Sequence, residues 1–197
     1  ITACDSYTWN GNTYNQSGIY TSTGSSNNDF SISFDGVDDY VDCGFIQPNT
    51  TSLSISAWVY KNDISNAGIL TSYQSQNYGF GIFMNDLYFN LNVGGVWDGV
   101  NTNFTSNYLN QWVHVCGTWD GTTISLYING SLVTSSSISG PINYNNYSTR
   151  IGGLEGHALS TDWIWDGKID DVSLWNIALS DFEIQQYMNC PPTGTET

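Results

Sequence analysis

The chain has 197 residues, enough for one domain with its own core. Three basic side chains, Lys61, Arg150 and Lys168, stand against 18 acidic ones. The resulting net charge of −15 excludes the basic surface that nucleic acid, an anionic membrane face or a heavily sulfated polymer requires.

The first stretch, "ITACDSYTW", carries no signal-peptide pattern and reads as an internal segment of a longer secreted protein. Residues 5–20 place Asn10-Gly11 between aromatic-rich runs, which predicts a β-hairpin, and "TSTGSSNN" follows as a loop. From residue 29 short alternating runs succeed one another: "DFSISF", "YVDCGF", "SLSISAWVY", "GILTSY", "YGFGIFM", "DLYFNLNV", "QWVHVCGTW", "TISLYING", "SLVTSSS", "TRIGG" and "KIDDVSLW". Turn sequences such as "FDGVDD", "MNDL", "WDGTT" and "INGS" separate them. Only "SDFEIQQYM" has a helical pattern, with Ser180 as N-cap and Glu183 completing a capping box. The pattern predicts an all-β, two-sheet antiparallel sandwich with one short C-terminal helix. No run of about 18 apolar residues occurs, so no membrane-spanning helix is expected.

Alternation assigns Leu53, Ile55, Ala57 and Val59 to the core and Ser54, Ser56, Trp58 and Tyr60 to the opposite face. It likewise leaves Tyr88, Asn90 and Asn92, and Ser125, Tyr127 and Asn129, facing outward. Aromatic rings among amides and hydroxyls suit a sugar, whose C–H faces want a flat apolar platform and whose hydroxyls want donors and acceptors. Trp97 in "VGGVWDGVN" and Trp163 in "EGHALSTDWIWDG" read as loop aromatics with no core to enter, and are candidates for ligand contact. His157 is a further candidate, although with Glu155 and Asp162 it makes too loose a grouping for a metal. In "KIDDVSLW" the alternation breaks between Ile169 and Val172, setting two carboxylates, Asp170 and Asp171, where the strand bends. Cys4, Cys43, Cys116 and Cys190 lack zinc-ligand spacing and allow three disulfide connectivities. Cys4 with Cys190 is the expected pair, because the termini of a β-sandwich often meet.

Five motifs, "FDGVDDYVDCG", "SLSISAWVY", "QWVHVCGTWDGTTISLYINGSLV", "RIGG" and "WDGKIDDVSLWNIALSDFEIQQYM", stand in order and spacing. In them residues 27–188 resemble the laminin-G-like, concanavalin A-like jelly-roll family. The resemblance implies two curved sheets, a buried Trp165, and a structural Ca²⁺ joining the first core strand to the last. The positions that match are Asp35, Gly36 and Asp38 in the early turn and Asp170 in the last strand. The expected layout is an N-terminal β-hairpin extension over 1–25, a laminin-G-like domain over 26–190, and a linker stub over 191–197.

Catalysis is not expected. Related β-glucanases carry a compact Glu-x-Asp-x-Glu strand, whereas the glutamates here are Glu155, Glu183 and Glu196. His114 has no Ser or Cys motif around it to make a triad. The sequence therefore predicts a monomeric, secreted or cell-surface carbohydrate-binding module for a neutral or weakly charged polysaccharide, within a larger enzyme or adhesin. The alternative is an adhesion or spacer domain that binds protein or no ligand.

Overall fold

A computed structural model describes residues 31–48, 50–72, 77–104, 106–144, 146–154 and 163–189, together with the backbone of 7–9 and 12–14. In chain order the strands are β1 (Tyr7–Trp9), β2 (Asn12–Tyr14), β3 (Ile32–Asp35), β4 (Val41–Asp42), β5 (Leu53–Lys61), β6 (Ala67–Ser72) and β7 (Tyr78–Phe83). They continue as β8 (Asp86–Val93), β9 (Val96–Asn103), β10 (Trp112–Trp119), β11 (Thr123–Ile128), β12 (Ser131–Ser137), β13 (Arg150–Ile151) and β14 (Asp166–Trp175), and the helix α1 (Asp181–Tyr187) follows.

β1 and β2 pair antiparallel, Tyr7 with Tyr14 and Trp9 with Asn12. The other strands form two six-stranded antiparallel sheets, ordered β12-β11-β10-β5-β14-β3 and β4-β13-β6-β7-β8-β9. This is the two-sheet sandwich that the strand pattern predicts, with the jelly-roll form that the family resemblance implies. Among the described residues, three hairpins close on two-residue turns whose residues both have positive φ: Met84-Asn85, Gly94-Gly95 and Asn129-Gly130. Such turns match the twist of the flanking strands, and Gly and Asn tolerate them best.

The sheets pack through residues 53, 55, 57 and 59 of β5, 113 and 115 of β10, and 78, 80, 82, 87, 89 and 91 of β7 and β8, all essentially buried. Trp165 is fully buried among them, as expected. At the end of β5 sits Lys61, also fully buried. Its Nζ donates to Asp63 Oδ1 at 2.6 Å and Ser65 Oγ at 3.1 Å, and lies 5.1 Å from the centre of the Trp165 ring.

The outer face of the β5 sheet departs from the sequence expectation. Ser54, Ser56, Trp58 and Tyr127 point away from the core, yet all are buried. The chain after β14 returns across this face. Ser54 Oγ donates to the Ile177 carbonyl at 2.8 Å and accepts the Leu179 amide at 2.9 Å. Cys116 and Tyr127 pack against Leu179 and Ile184, while Tyr127 Oη donates to Asp181 at 2.8 Å. α1 carries the predicted capping box, with Ser180 and Glu183 each satisfying the other's backbone amide.

The broken alternation in β14 is a β-bulge. Asp170 pairs with Trp58, the next partner is Ser173 with Ser56, and Asp171 between them has φ +48°. Asp170 Oδ1 accepts the Asp171 amide at 2.7 Å, which helps hold this uncommon backbone.

Candidate binding site

The sequence "YGFGIF" of β7 sets a glycine at each outward position before Phe83. In register, Gly79 pairs with Asn90, Gly81 with Tyr88 and Phe83 with Asp86. Across β8, Tyr88 pairs with Asn101, Asn90 with Gly99 and Asn92 with Trp97. The outer face of this sheet therefore has a bare backbone strip flanked by aromatic and amide side chains. A cavity of about 270 Å³ opens there.

Trp97 is half-buried at its wall. A Cβ placed on Gly79 would stand 3.1 Å from both Trp97 Cη2 and Tyr88 Cε2, so glycine is what lets the two rings approach the sheet. With the Asn90 amide turned to satisfy both of its ends, its oxygen accepts from Trp97 Nε1 at 3.2 Å and its nitrogen donates to the Phe89 carbonyl at 3.0 Å. Asn90 thus orients the indole from beneath. Trp97 lies in a strand rather than a loop. β9 was hidden in the sequence because Asp98 and Thr102 interrupt the apolar alternation on either side of Val100, although Gly94-Gly95 carried the signal of a tight hairpin.

Trp163 closes the opposite wall. It is buried with Tyr88 and Leu154 and stacks on Phe83, ring centres 5.2 Å apart and planes 8° from parallel. A tryptophan in a polar insertion thus finds a second, small core on the outside of the sheet. Burial pushes the Tyr88 hydroxyl well above its usual pKa, so it stays protonated. Asp86, Asn101 and Met84 line the remaining rim. Phe83, Asp86, Asn101 and Leu154 were not singled out from sequence; the alternating glycines of "YGFGIF" were the available sign of a groove.

Of the predicted ligand residues, the structure brings Trp97, Trp163, Tyr88 and Asn90 to this one cavity. Asn92 is buried beside it, its backbone bonded to Asn77 and Asn143, and does not line it. Tyr127 belongs to the other sheet, under the α1 segment. His157 lies outside the described residues, as do Glu155, Asp162, Cys4 and Cys190. Cys43 and Cys116 are unpaired thiols, and burial raises the pKa of both.

The predicted metal positions separate into two places. Asp35, Asp38 and Asp39 surround the turn after β3, with a carboxylate oxygen from each lying within 4.8 Å of the others. Gly36, with φ +78°, sits in that turn and donates its amide to the Trp165 carbonyl at 3.1 Å. Asp166 is the ladder partner of Asp35. Asp170 lies four residues further along β14, about 13 Å at strand rise, so the structure does not bring it to this cluster. An all-oxygen carboxylate set suits Ca²⁺, and here it comprises Asp35, Asp38 and Asp39. Two of its oxygens already serve the turn: Asp35 Oδ1 accepts from Val37 and Asp39 Oδ2 from Asp35.

A family model described as the concanavalin A-like lectin/glucanases superfamily matches residues 34–185. No curated protein matches the chain by sequence. Among solved structures, the chain resembles a native heptameric SAP-like pentraxin from Limulus polyphemus, at 20% identity and a TM-score of 0.62 over 85% of this chain and 84% of that one. It also resembles a candidate carbohydrate-binding protein of Bacteroides ovatus, at 18% identity and 0.60 over 76% of this chain. A third is the receptor-binding domain of a botulinum neurotoxin C/D mosaic serotype, at 18% identity and 0.56 over 72% of this chain. The chain spans only 45% and 37% of the length of those last two proteins. At such identities the likeness is one of fold.

Proposed function

The chain belongs to the concanavalin A-like lectin/glucanases superfamily, and on that premise we propose that it is a non-catalytic module binding an extracellular polysaccharide at the outer face of β7, β8 and β9. The observation that carries this reading is Trp97, half-exposed and oriented by Asn90 above a glycine floor, facing the Phe83–Trp163 stack. A fixed apolar ring beside carboxylate and amide groups is how a site holds a pyranose by its face and reads its hydroxyls. That a candidate carbohydrate-binding protein shares the fold supports the ligand class. Among the described residues Asp86 is the one carboxylate lining the aromatic cavity, whereas glycoside hydrolysis uses a positioned pair.

The ligand is neutral or weakly charged. Of the three basic side chains Lys61 is buried in its pairing with Asp63, and none lines the cavity. The wider setting we propose is a secreted or surface-attached, monomeric module over 26–190 of a larger enzyme or adhesin, with a hairpin extension over 1–25, a linker over 191–197 and a Cys4–Cys190 disulfide. Ca²⁺ held by Asp35, Asp38 and Asp39 would have a structural role.

Affinity electrophoresis against neutral plant and algal polysaccharides, followed by calorimetry, tests the reading. Trp97→Ala should weaken binding by about 2 kcal/mol, the scale of a desolvated aromatic anchor. Affinity should also change little between low and moderate salt, since screening acts mainly on exposed charge pairs. Collapse of binding with salt, or full affinity in the Trp97→Ala variant, would contradict it. Absence of binding to any glycan would favour the adhesion or spacer role.

A further inference from the structure

Trp97 has a second side. Its ring, with Asn90 and Asn101, also bounds a cavity of about 380 Å³ that continues past the aromatic one. The far wall of this second cavity is Thr134, Ser135 and Ser136 of β12, which belongs to the other sheet. β9 and β12 are the end strands of their respective sheets and lie against each other. The groove therefore starts on the outer face of one sheet and turns round the open edge of the sandwich onto the second.

We infer that this continuous groove binds an internal stretch of polysaccharide chain, several sugars long, with Trp97 as the platform at the bend between two unlike subsites. The inference rests on the binding reading above and deepens it. Each cavity alone is near the roughly 300 Å³ lower bound of a small-molecule site, so one sugar fills one cavity and a chain is needed to fill both.

The chemistry of the two parts differs. The first has rings to cover a sugar face. The second presents hydroxyls, the Asp98 carboxylate, the Asn101 amide and the outward backbone groups of two end strands, which lack a strand partner on that side. These are donors and acceptors for hydroxyl groups. The carboxylates Asp86 and Asp98, one in each part, set the sign: a polyanionic chain is repelled along the whole path, while a neutral chain donates hydroxyl protons to both.

Gly99 leaves a gap in the face of β9 that borders both cavities. It lies between Trp97 and Asn101 on the same face of β9, and a Cβ there would stand 2.2 Å from the Phe89 carbonyl oxygen and 2.3 Å from the end of the Asn90 side-chain amide that faces that carbonyl, so only glycine fits against β8. The face of β9 thus runs ring, gap, amide, and the gap is where the chain crosses the strand.

The test uses the wild-type protein and a length series. Laminarin, xyloglucan, galactomannan and xylan are screened by affinity electrophoresis, and oligosaccharides of the best-retained polymer are titrated by calorimetry. Affinity should rise about tenfold, roughly 1.4 kcal/mol, from the disaccharide to the tetrasaccharide. Ser136→Leu and Thr134→Val, which fill or strip the far wall on an exposed strand, should flatten that rise. Trp97→Ala should lower affinity at every length. Equal affinity across the series with Trp97 still required would overturn the extended groove and leave the binding reading standing. So would a rise that both β12 variants leave untouched. Retention of none of the four polymers would remove the binding reading and this inference with it.

Discussion

Two residues show how little a side chain's type says about its role until its surroundings are known. Lys61 is one of three cations in an acidic chain, yet its ammonium is buried against Asp63, whose own side chain is about half exposed. The pair is therefore unequal. Removing Asp63 strands a charge in the interior, whereas removing Lys61 leaves a carboxylate that water reaches. Asp63→Ala should cost about 3 kcal/mol in urea unfolding, and Lys61→Met, which keeps the volume, should cost far less. Equal losses would show that the ammonium is not confined as described. Asn90 is the second case. Alternation marked it as outward and sugar-facing, and its outward position was legible. Its bond to the Trp97 indole was not, because Asn90 and Trp97 are not ladder partners and the contact runs diagonally across the β8–β9 hairpin.

At the level of elements, the strands of the core were legible from period-two alternation, and α1 from its capping box. What alternation could not tell was which outward faces another part of the chain covers. The central strands β10, β5 and β14 set His114, Trp58 and Asp170 side by side on the outer face. All three leave a buried polar atom without a partner, and the His114 and Trp58 rings meet edge to face at 5.3 Å. Burial lowers the His114 pKa to about 4 from an ordinary value of 6.5, so the imidazole is neutral in the fold. Between those two values the unfolded chain binds the proton and the folded one does not, so stability falls as pH drops from 6.5 to 4 and levels off below. The histidine alone should account for a loss on the order of 3 kcal/mol. Chemical denaturation at pH 7 and pH 4.5 should show that loss reduced in His114→Gln. If the wild type and the variant lose stability in parallel, another group is responsible.

For the whole molecule the governing quantity is charge. Self-repulsion at −15 works against any compact state, and bringing three carboxylates together around the turn after β3 concentrates it. A bound Ca²⁺ would neutralise that turn and stabilise only the folded chain. EDTA should therefore lower the melting temperature of the wild type and leave that of Asp38→Asn unchanged. Refolding from denaturant in EDTA removes slow ion release as an explanation, and an unshifted midpoint after that step would exclude a stabilising metal. The sequence located most of this turn through "FDGVDD". It placed Asp170 in the same site because a motif gives the order of residues along a chain, while the ladder of β14 against β3 sets how far apart they lie.

The glycine strip of β7 also governs the thermodynamics of occupancy. A floor made of backbone has no rotamers to freeze, and the Tyr88, Phe83 and Trp163 rings above it are already packed against one another. Ordering of protein side chains, worth about 0.5–1.5 kcal/mol for each rotamer-rich group immobilised, is thus largely completed when the chain folds rather than when the ligand arrives. The heat of binding should then report contacts and displaced water, with the entropic penalty coming mainly from the flexible glycan.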